Sequence, residues 1–221
     1  MKSIAKFGLK DSYMGSVRDS KRTQKNIIDT AMKLFARDGF DGVSVDLIAS
    51  EANINKAMIY YYFKNKAKLY EKVVSTLLDE IYDQIVEDIK KAEKPRDELK
   101  IFIETFCDFA WHNPYLSSLM LAELGNGAKN LPDDMFVGLK QIFLLLSDIL
   151  KRGEEKGCFF DIEPIIIHFM ITGTINLFIS TKNLRKRVEK EFDTDVCNEC
   201  DEKELSSYIY KKIAKMLGEK E

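Results

Sequence analysis

The amino-acid sequence predicts an all-α protein of about nine helices. Apolar residues recur every three or four positions along most of the chain, as in helices that bury one face. No segment keeps up a two-residue alternation, so we predict no sheet. Only 4 prolines and 11 glycines occur in 221 residues, too few for a turn-rich sandwich. A hydrophobic fraction of 45% is enough for a sizeable core and argues against intrinsic disorder.

The first two predicted helices are short and have clear ends. The first covers residues 23–37 and ends at Gly39, because glycine readily adopts the left-handed conformation that closes a helix. Ser44 has a side chain suited to a helix N-cap. A second helix follows over residues 45–52, with its apolar positions on one face. Residues 1–20 are predicted to form a flexible arm.

The third helix follows a tight turn, which predicts a helix–turn–helix. Asn53 tolerates positive φ better than other non-glycine residues, and Ile54 is expected to fill the angle between the helices. Asn55 is the expected N-cap of a helix over residues 56–63. On a helical wheel its buried face carries three residues: Ile59, Tyr62 and Phe63.

Longer helices follow in the rest of the chain. We predict them near residues 66–92, 95–112, 114–124, 132–156, 164–181 and 205–218. The stretch 164–181 has no Asp, Glu, Lys or Arg, yet its seven polar or glycine positions favour a buried helix over a membrane span. The acidic stretch 189–204 is predicted to be a mobile loop.

Charge is distributed unevenly along the chain. Residues 1–70 carry 13 basic and 7 acidic side chains, and residues 71–221 carry 21 basic and 29 acidic ones. The net charge of −2 therefore combines a basic N-terminal part with an acidic remainder. A basic segment around a helix–turn–helix is typical of a nucleic-acid-binding module.

Residues 43–69 resemble the DNA-binding signature of the tetracycline-repressor (TetR) family. The matching positions are Ser44, Ile48, Ala49, Ala52, Ile54, Tyr60, Tyr62, Phe63 and Lys66. Four positions depart from the family pattern: Asn53 for the usual turn glycine, Asn55 for the usual serine cap, and Ala57 and Met58 for glycine and threonine. Base preference is therefore not transferable from the family.

The resemblance implies a role for each residue of the motif. Phosphates would be contacted by Ser44, Tyr60, Tyr61 and Lys66, next to the cap residue Asn55. Base edges would be contacted by Lys56, Ala57 and Met58. It also implies three parts: an arm over 1–20, a helix–turn–helix domain over 21–68 with its motif at 44–63, and a helical ligand-binding and dimerisation domain over 69–221.

The second domain is expected to pair two subunits and to enclose an effector. Six residues of the last two predicted helices are candidates for the dimer interface: Ile166, Met170, Gly173, Leu177, Ile209 and Ile213. Six residues are candidates for the effector site: Phe106, Phe109, Phe143, His168, Thr172 and Asn176. Aromatic residues at helical spacing are as typical of a plain core, and the polar line on the eighth helix suits either a ligand or a subunit contact.

The resemblance therefore implies a cytoplasmic homodimer that represses transcription. It would bind double-stranded DNA at a palindromic operator and leave it when a small, largely apolar effector binds. Family members include activators as well as repressors, and the resemblance favours a repressor.

Other classes of function have weaker support. The Cys197 and Cys200 pair would make a redox- or metal-responsive regulator, but five carboxylates surround it and no second ligand pair lies nearby. A sequence-nonspecific DNA-coating protein is a further alternative. With two histidines and no phosphate loop or nucleophile elbow, we predict no catalytic residues, no metal, no cofactor and no membrane partner.

Overall fold

The computed structural model describes residues 8–129, 131–161, 163–193 and 200–218, which are helical and contain no strand. The helices among these residues are α1 (Gly8–Gly42), α2 (Val45–Glu51), α3 (Lys56–Phe63), α4 (Lys66–Ile89), α5 (Pro95–His112), α6 (Pro114–Gly125), α7 (Asp133–Glu155), α8 (Pro164–Ser180), α9 (Lys182–Phe192) and α10 (Glu202–Met216). The predicted all-α class is confirmed. The chain divides into two compact units, residues 1–73 and 74–221, and the division falls within α4.

Two helices differ from the prediction. Helix α1 begins at Gly8 rather than at residue 23, so residues 8–20 are helical where a flexible arm was expected. Helix α9 was not predicted, because its basic sequence buries no residue and so lacks an inward apolar stripe. The acidic stretch 189–204 was expected to be a loop, but its first residues belong to α9 and its last residues to α10. Residues 194–199 lie outside the described residues.

The first unit is held together by a small aromatic and aliphatic core. Its fully buried side chains include Ile27, Ala31, Phe35, Ile48, Ile59 and Leu69. Tyr70 meets Phe35 edge-on, with ring centroids 4.9 Å apart, and contacts Phe40 at 5.1 Å. Gly39, at φ 72°, interrupts α1 as predicted. The chain can then turn back into α2.

The second unit is built around α5, which contacts α6, α7, α8 and α10. A partly buried ion pair links α5 to α7, where the two terminal guanidinium nitrogens of Arg152 donate to the two carboxylate oxygens of Glu98 at 2.8 and 2.5 Å. Helix α10 begins with a capping box, in which Asp201 accepts from the backbone amide of Glu204 at 2.8 Å.

Gly138 permits a close helix crossing in the same unit. A Cβ atom added at Gly138 on α7 would lie 2.9 Å from the Cβ atom of Leu78 on α4. Only a hydrogen atom fits between the two helices at this point.

Among the described residues no single helix is long and apolar enough to cross a membrane. The pair Pro164–Ser180 and Lys182–Phe192, bent by 69°, satisfies that test of length and composition only when its two helices are taken together.

Candidate nucleic-acid interface

The turn between α2 and α3 has the conformation that the sequence predicts. Asn53 has a φ of 52°, in the left-handed region that asparagine tolerates. The amide of Ile54 donates to the carbonyl of Ala49 at 3.0 Å, and the side-chain amide of Asn26 donates to the carbonyl of Ala52 at 2.9 Å. These bonds fix α2 and α3 to each other and to α1.

Both short helices have the N-caps expected from the sequence. The Ser44 hydroxyl oxygen accepts from the amide of Leu47 at 3.1 Å, and the Asn55 side-chain oxygen accepts from the amide of Ala57 at 2.8 Å. Ser44 and Asn55 are both exposed. The cap uses the hydroxyl of Ser44 only as an acceptor, so its proton remains available to a phosphate oxygen.

Helix α3 buries one face and exposes the other. Ile59 and Phe63 are buried, and Tyr62 is half-buried. The outer face carries the candidate DNA contacts, of which Lys56, Ala57, Tyr60 and Tyr61 are exposed and Met58 is half-buried. Tyr61 is 80% exposed, which is unusual for a large aromatic side chain. An exposed face with Ala, Met and Tyr suits contact with thymine methyl groups and phosphates.

Lys56 is paired with a residue that the motif does not single out. Its ammonium nitrogen lies 2.8 Å from a carboxylate oxygen of Asp46 on α2. The hydrogen bond to Asp46, with the attraction of its charge, raises the pKa of Lys56. Lys56 is the only charged side chain of α3, so this pair carries the charge of the recognition helix. The sequence alone does not identify Asp46 as the partner of Lys56, because the two residues are ten positions apart and lie on different helices.

Lys66 has a different environment from the one that the resemblance implies. Its ammonium donates to the carbonyl oxygens of Phe40 at 2.9 Å and Val43 at 3.0 Å. It also lies 4.2 Å from the centroid of the Phe40 ring. Two of its three donors are therefore used inside the unit, where they hold the α1–α2 connection against the start of α4. A phosphate contact by Lys66 stays a prediction.

The candidate effector residues fall into two groups in the second unit. Phe106 and Phe109 on α5 are buried. Half-buried Phe143 on α7 meets buried His168 on α8 edge-on, with ring centroids 5.6 Å apart. Burial lowers the pKa of His168. Its Nδ1 atom is buried and has no hydrogen-bond partner among the described residues.

The polar line on α8 is mostly satisfied within the chain. Ser117 on α6 donates its hydroxyl proton to the side-chain oxygen of buried Asn176 at 2.9 Å. The Thr172 hydroxyl donates to the carbonyl of His168 at 2.8 Å. Neither side chain needs a ligand or a second subunit to satisfy the groups that make these bonds. Glu123 on α6, which is 3% exposed, is a buried charged residue that the sequence pattern did not reveal.

The candidate dimerisation residues divide between surface and core. Ile166 and Leu177 on α8 are exposed, and a Cβ atom at Gly173 would meet open space. Met170 is half-buried. The structure corrects the expectation for α10: Ile209 and Ile213 are buried in the chain's own core, because α10 turns this face to α5.

The cysteines offer no cluster of metal ligands within the described part of the chain. Cys200 is disulfide-bonded, and Cys197 lies outside the described residues. Cys107 is buried, and burial raises the pKa of its thiol to about 12.

An exposed, capped recognition helix on a compact helical head, followed by a larger helical unit, defines a helix–turn–helix DNA-binding regulator. Two family models cover most of the chain. The model described as bacterial regulatory proteins, tetR family, matches residues 27–73. The model described as tetracyclin repressor-like, C-terminal domain, matches residues 95–211. The chain belongs to the tetR family of bacterial regulatory proteins.

Relatives and solved structures agree with this membership. The chain is 38% identical over 160 residues to the biofilm operon icaADBC HTH-type negative transcriptional regulator IcaR of Staphylococcus aureus (strain Newman), covering 71% of this chain and 84% of that one. It is 28% identical over 168 residues to the HTH-type transcriptional repressor NicS of Pseudomonas putida, covering 74% and 78%.

The fatty acid degradation regulator FadR from Bacillus halodurans has the same fold, with a TM-score of 0.72 at 22% identity over 90% of this chain and 97% of that chain.

The protein is thus a ligand-responsive DNA-binding transcriptional repressor. The comparisons give no support to a redox- or metal-responsive regulator or to a DNA-coating protein.

Proposed function

We propose that the protein binds a palindromic operator as a homodimer and releases it when a small, largely apolar effector occupies the helical unit. The exposed outer face of α3 supports this proposal most strongly. It places a lysine, two tyrosines and small apolar side chains on one rigid, doubly capped helix. Exposure of apolar side chains to water is unfavourable. Contact with a DNA major groove explains why this face is exposed.

In this proposal the motif residues divide between positioning and base recognition. Ser44, Asn55, Tyr60 and Tyr61 contact or frame the phosphates, and Lys56, Ala57 and Met58 meet base edges. All of these except Met58 are exposed, so they reach DNA without rearrangement. The resemblance assigns Lys66 to the phosphate contacts, but two of its three donors hold Phe40 and Val43, which favours a structural role for it.

The proposed dimer surface is the exposed apolar stripe of α8. Ile166, Phe169, Gly173 and Leu177 follow at helical spacing and all face solvent in the single chain. A soluble monomer rarely exposes such a continuous stripe, whereas a two-fold helix pair buries it. Gly173 allows the partner helix to approach closely. Half-buried Met170 lies at the edge of this stripe.

The proposed effector site lies around Phe143 and His168. Phe143 presents its ring to the imidazole, and the lowered pKa keeps His168 neutral at pH 7. A neutral imidazole with an unpartnered buried nitrogen suits one hydrogen bond to a ligand that is otherwise apolar. Phe106 and Phe109, buried on α5, are further apolar candidates for the effector site.

Release requires only that the effector prefer a conformation of the dimer that binds DNA poorly. An effector that binds both conformations equally would leave the operator occupied. A location in the cytoplasm, where a bacterial repressor would meet its operator, stays a prediction.

The proposal is tested by selecting bound sequences from a random DNA pool with the purified protein, followed by a salt titration on the enriched sequence. We expect a palindrome whose half-sites are about one helical turn, or a multiple of it, apart. We also expect affinity at least about 1,000-fold above that for random DNA. Enrichment of no motif, with affinity that depends only on salt, would contradict the proposal.

A further inference from the structure

The ion pair between Asp46 and Lys56 joins the starts of the two helices of the motif. Asp46 lies in the first turn of α2, and Lys56 is the first residue of α3. Their charged atoms are 2.8 Å apart, and the side chains are 73% and 50% exposed. Exposed ion pairs of this kind contribute little to stability, because water screens them and two flexible side chains must be ordered. The pair is therefore poorly explained as a structural element.

The position of the pair suggests a different use. In helix–turn–helix proteins the N-terminal residues of the recognition helix meet base edges in the major groove. Lys56 occupies this position and is the only charged side chain on α3. Because the two charged groups are 2.8 Å apart, a base edge bound by the Lys56 ammonium would lie close to the Asp46 carboxylate. The surface thus offers a donor and an acceptor side by side.

We propose that Asp46 and Lys56 together read one G·C base pair in each half-site. The Lys56 ammonium donates to O6 and N7 of guanine, and the Asp46 carboxylate accepts from the N4 amino group of the paired cytosine. In the base pair itself, N4 and O6 are hydrogen-bonded about 2.9 Å apart, which matches the spacing of the two side-chain groups. Asp46 becomes a specificity-determining residue in this reading, which rests on the proposed operator binding.

The same pair discriminates against the other base pairs. The order of groups across a G·C pair is acceptor, acceptor, donor, and an ammonium beside a carboxylate complements that order. At an A·T pair the ammonium keeps the N7 acceptor of adenine but meets its N6 amino donor in place of O6, and the carboxylate faces the O4 acceptor of thymine. A carboxylate facing two acceptors, as at a reversed pair, is repelled. We expect a preference for G·C at this position of about tenfold or more.

The carboxylate also acts on binding to random DNA. Asp46 adds a negative charge beside the proposed DNA contacts, so it would weaken contacts that depend on charge alone. Removal of this charge is expected to tighten binding to every sequence. The proposal concerns the loss of base discrimination when Asp46 is neutralised. A matched control is needed to separate this loss from the general gain in affinity that follows removal of a negative charge.

The test uses the full chain and its Asp46→Asn, Lys56→Met and Asp29→Asn variants. Asp29 is an exposed carboxylate on α1, so Asp29→Asn removes the same charge from the same unit without touching α3. Each variant is carried through selection from a random DNA pool. The enriched palindrome is then titrated with single base-pair changes at every position of the half-site.

We expect one position at which the wild-type protein and Asp29→Asn prefer G·C about tenfold, while Asp46→Asn and Lys56→Met both lose this preference and keep the rest of the palindrome. An unchanged preference in Asp46→Asn, or loss only in Lys56→Met, would overturn the assignment while the operator remained. A wild-type protein that enriches no palindrome would refute the proposed function itself, and the assignment with it.

Discussion

Replacement of Lys66 by methionine separates a structural role from a phosphate contact. The side chain is half-buried, and its ammonium binds two backbone carbonyls at 2.9 and 3.0 Å while it lies over the Phe40 ring. Lys66→Met keeps an unbranched apolar stem, one atom shorter, and removes the charge. The carbonyls of Phe40 and Val43 then lose their donor and must find water.

The magnitude follows from the two hydrogen bonds. A hydrogen bond to a charged group contributes about 1.5–3 kcal/mol to stability, and each carbonyl recovers part of this from water because the site is half-exposed. The cation–π contact adds about 0.5–1 kcal/mol. We therefore expect Lys66→Met to lower the free energy of unfolding of residues 1–73 by about 2–3 kcal/mol.

The assay combines urea unfolding, followed by circular dichroism, with hydrogen exchange of the α2 amides and a salt titration of operator binding. Lys64→Met is the control, because Lys64 is exposed and has the same charge two residues earlier. The expected result is faster exchange in α2 with an unchanged salt dependence. Unchanged stability, together with a salt slope smaller by about 0.9 per subunit, would refute this reasoning and establish a phosphate contact.

Three further predictions concern the turn, the dimer and pH. Asn53→Gly is expected to keep the stability of the motif and Asn53→Val to lower it by about 1–2 kcal/mol in thermal unfolding, because φ is 52° there; equal effects would contradict this. Phe169→Asp is expected to raise the dimer dissociation constant about 100-fold or more in sedimentation analysis, whereas Phe136→Asp, equally exposed on α7, leaves it unchanged. Burial lowers the pKa of His168, so the unfolded state binds more protons and stability falls as pH drops below about 6.5; His168→Phe should flatten this part of the pH profile, and an unchanged profile would show that another group is responsible.

The local architecture of the first unit is readable from the sequence because short-range rules determine it. The Ser44 and Asn55 caps and the Asn53 turn each depend on residues within a few positions, and the structure has all of them. The apolar spacing likewise predicts the buried Ile59 and Phe63.

Long-range partners are not readable in this way. The Asp46–Lys56 pair and the contacts of Lys66 join positions 10 to 26 residues apart. In the second unit, periodicity shows that α10 has an apolar face but not what that face meets. Ile209 and Ile213 were therefore expected at a subunit interface, whereas they pack into the chain's own core. Basic α9 has no buried residue, so the hydrophobic pattern gives no signal for it.

The crossing of α4 and α7 at Gly138 has a mechanical consequence. Most helix pairs are separated by a layer of interlocking side chains packed about as densely as an organic crystal. At Gly138 no such layer separates α7 from Leu78. Helix α7 also carries Phe143, and α4 is continuous from Lys66 to Ile89. One methyl group added at Gly138 would therefore change the spacing of α4 and α7, because Leu78 or the α7 backbone must shift to admit it.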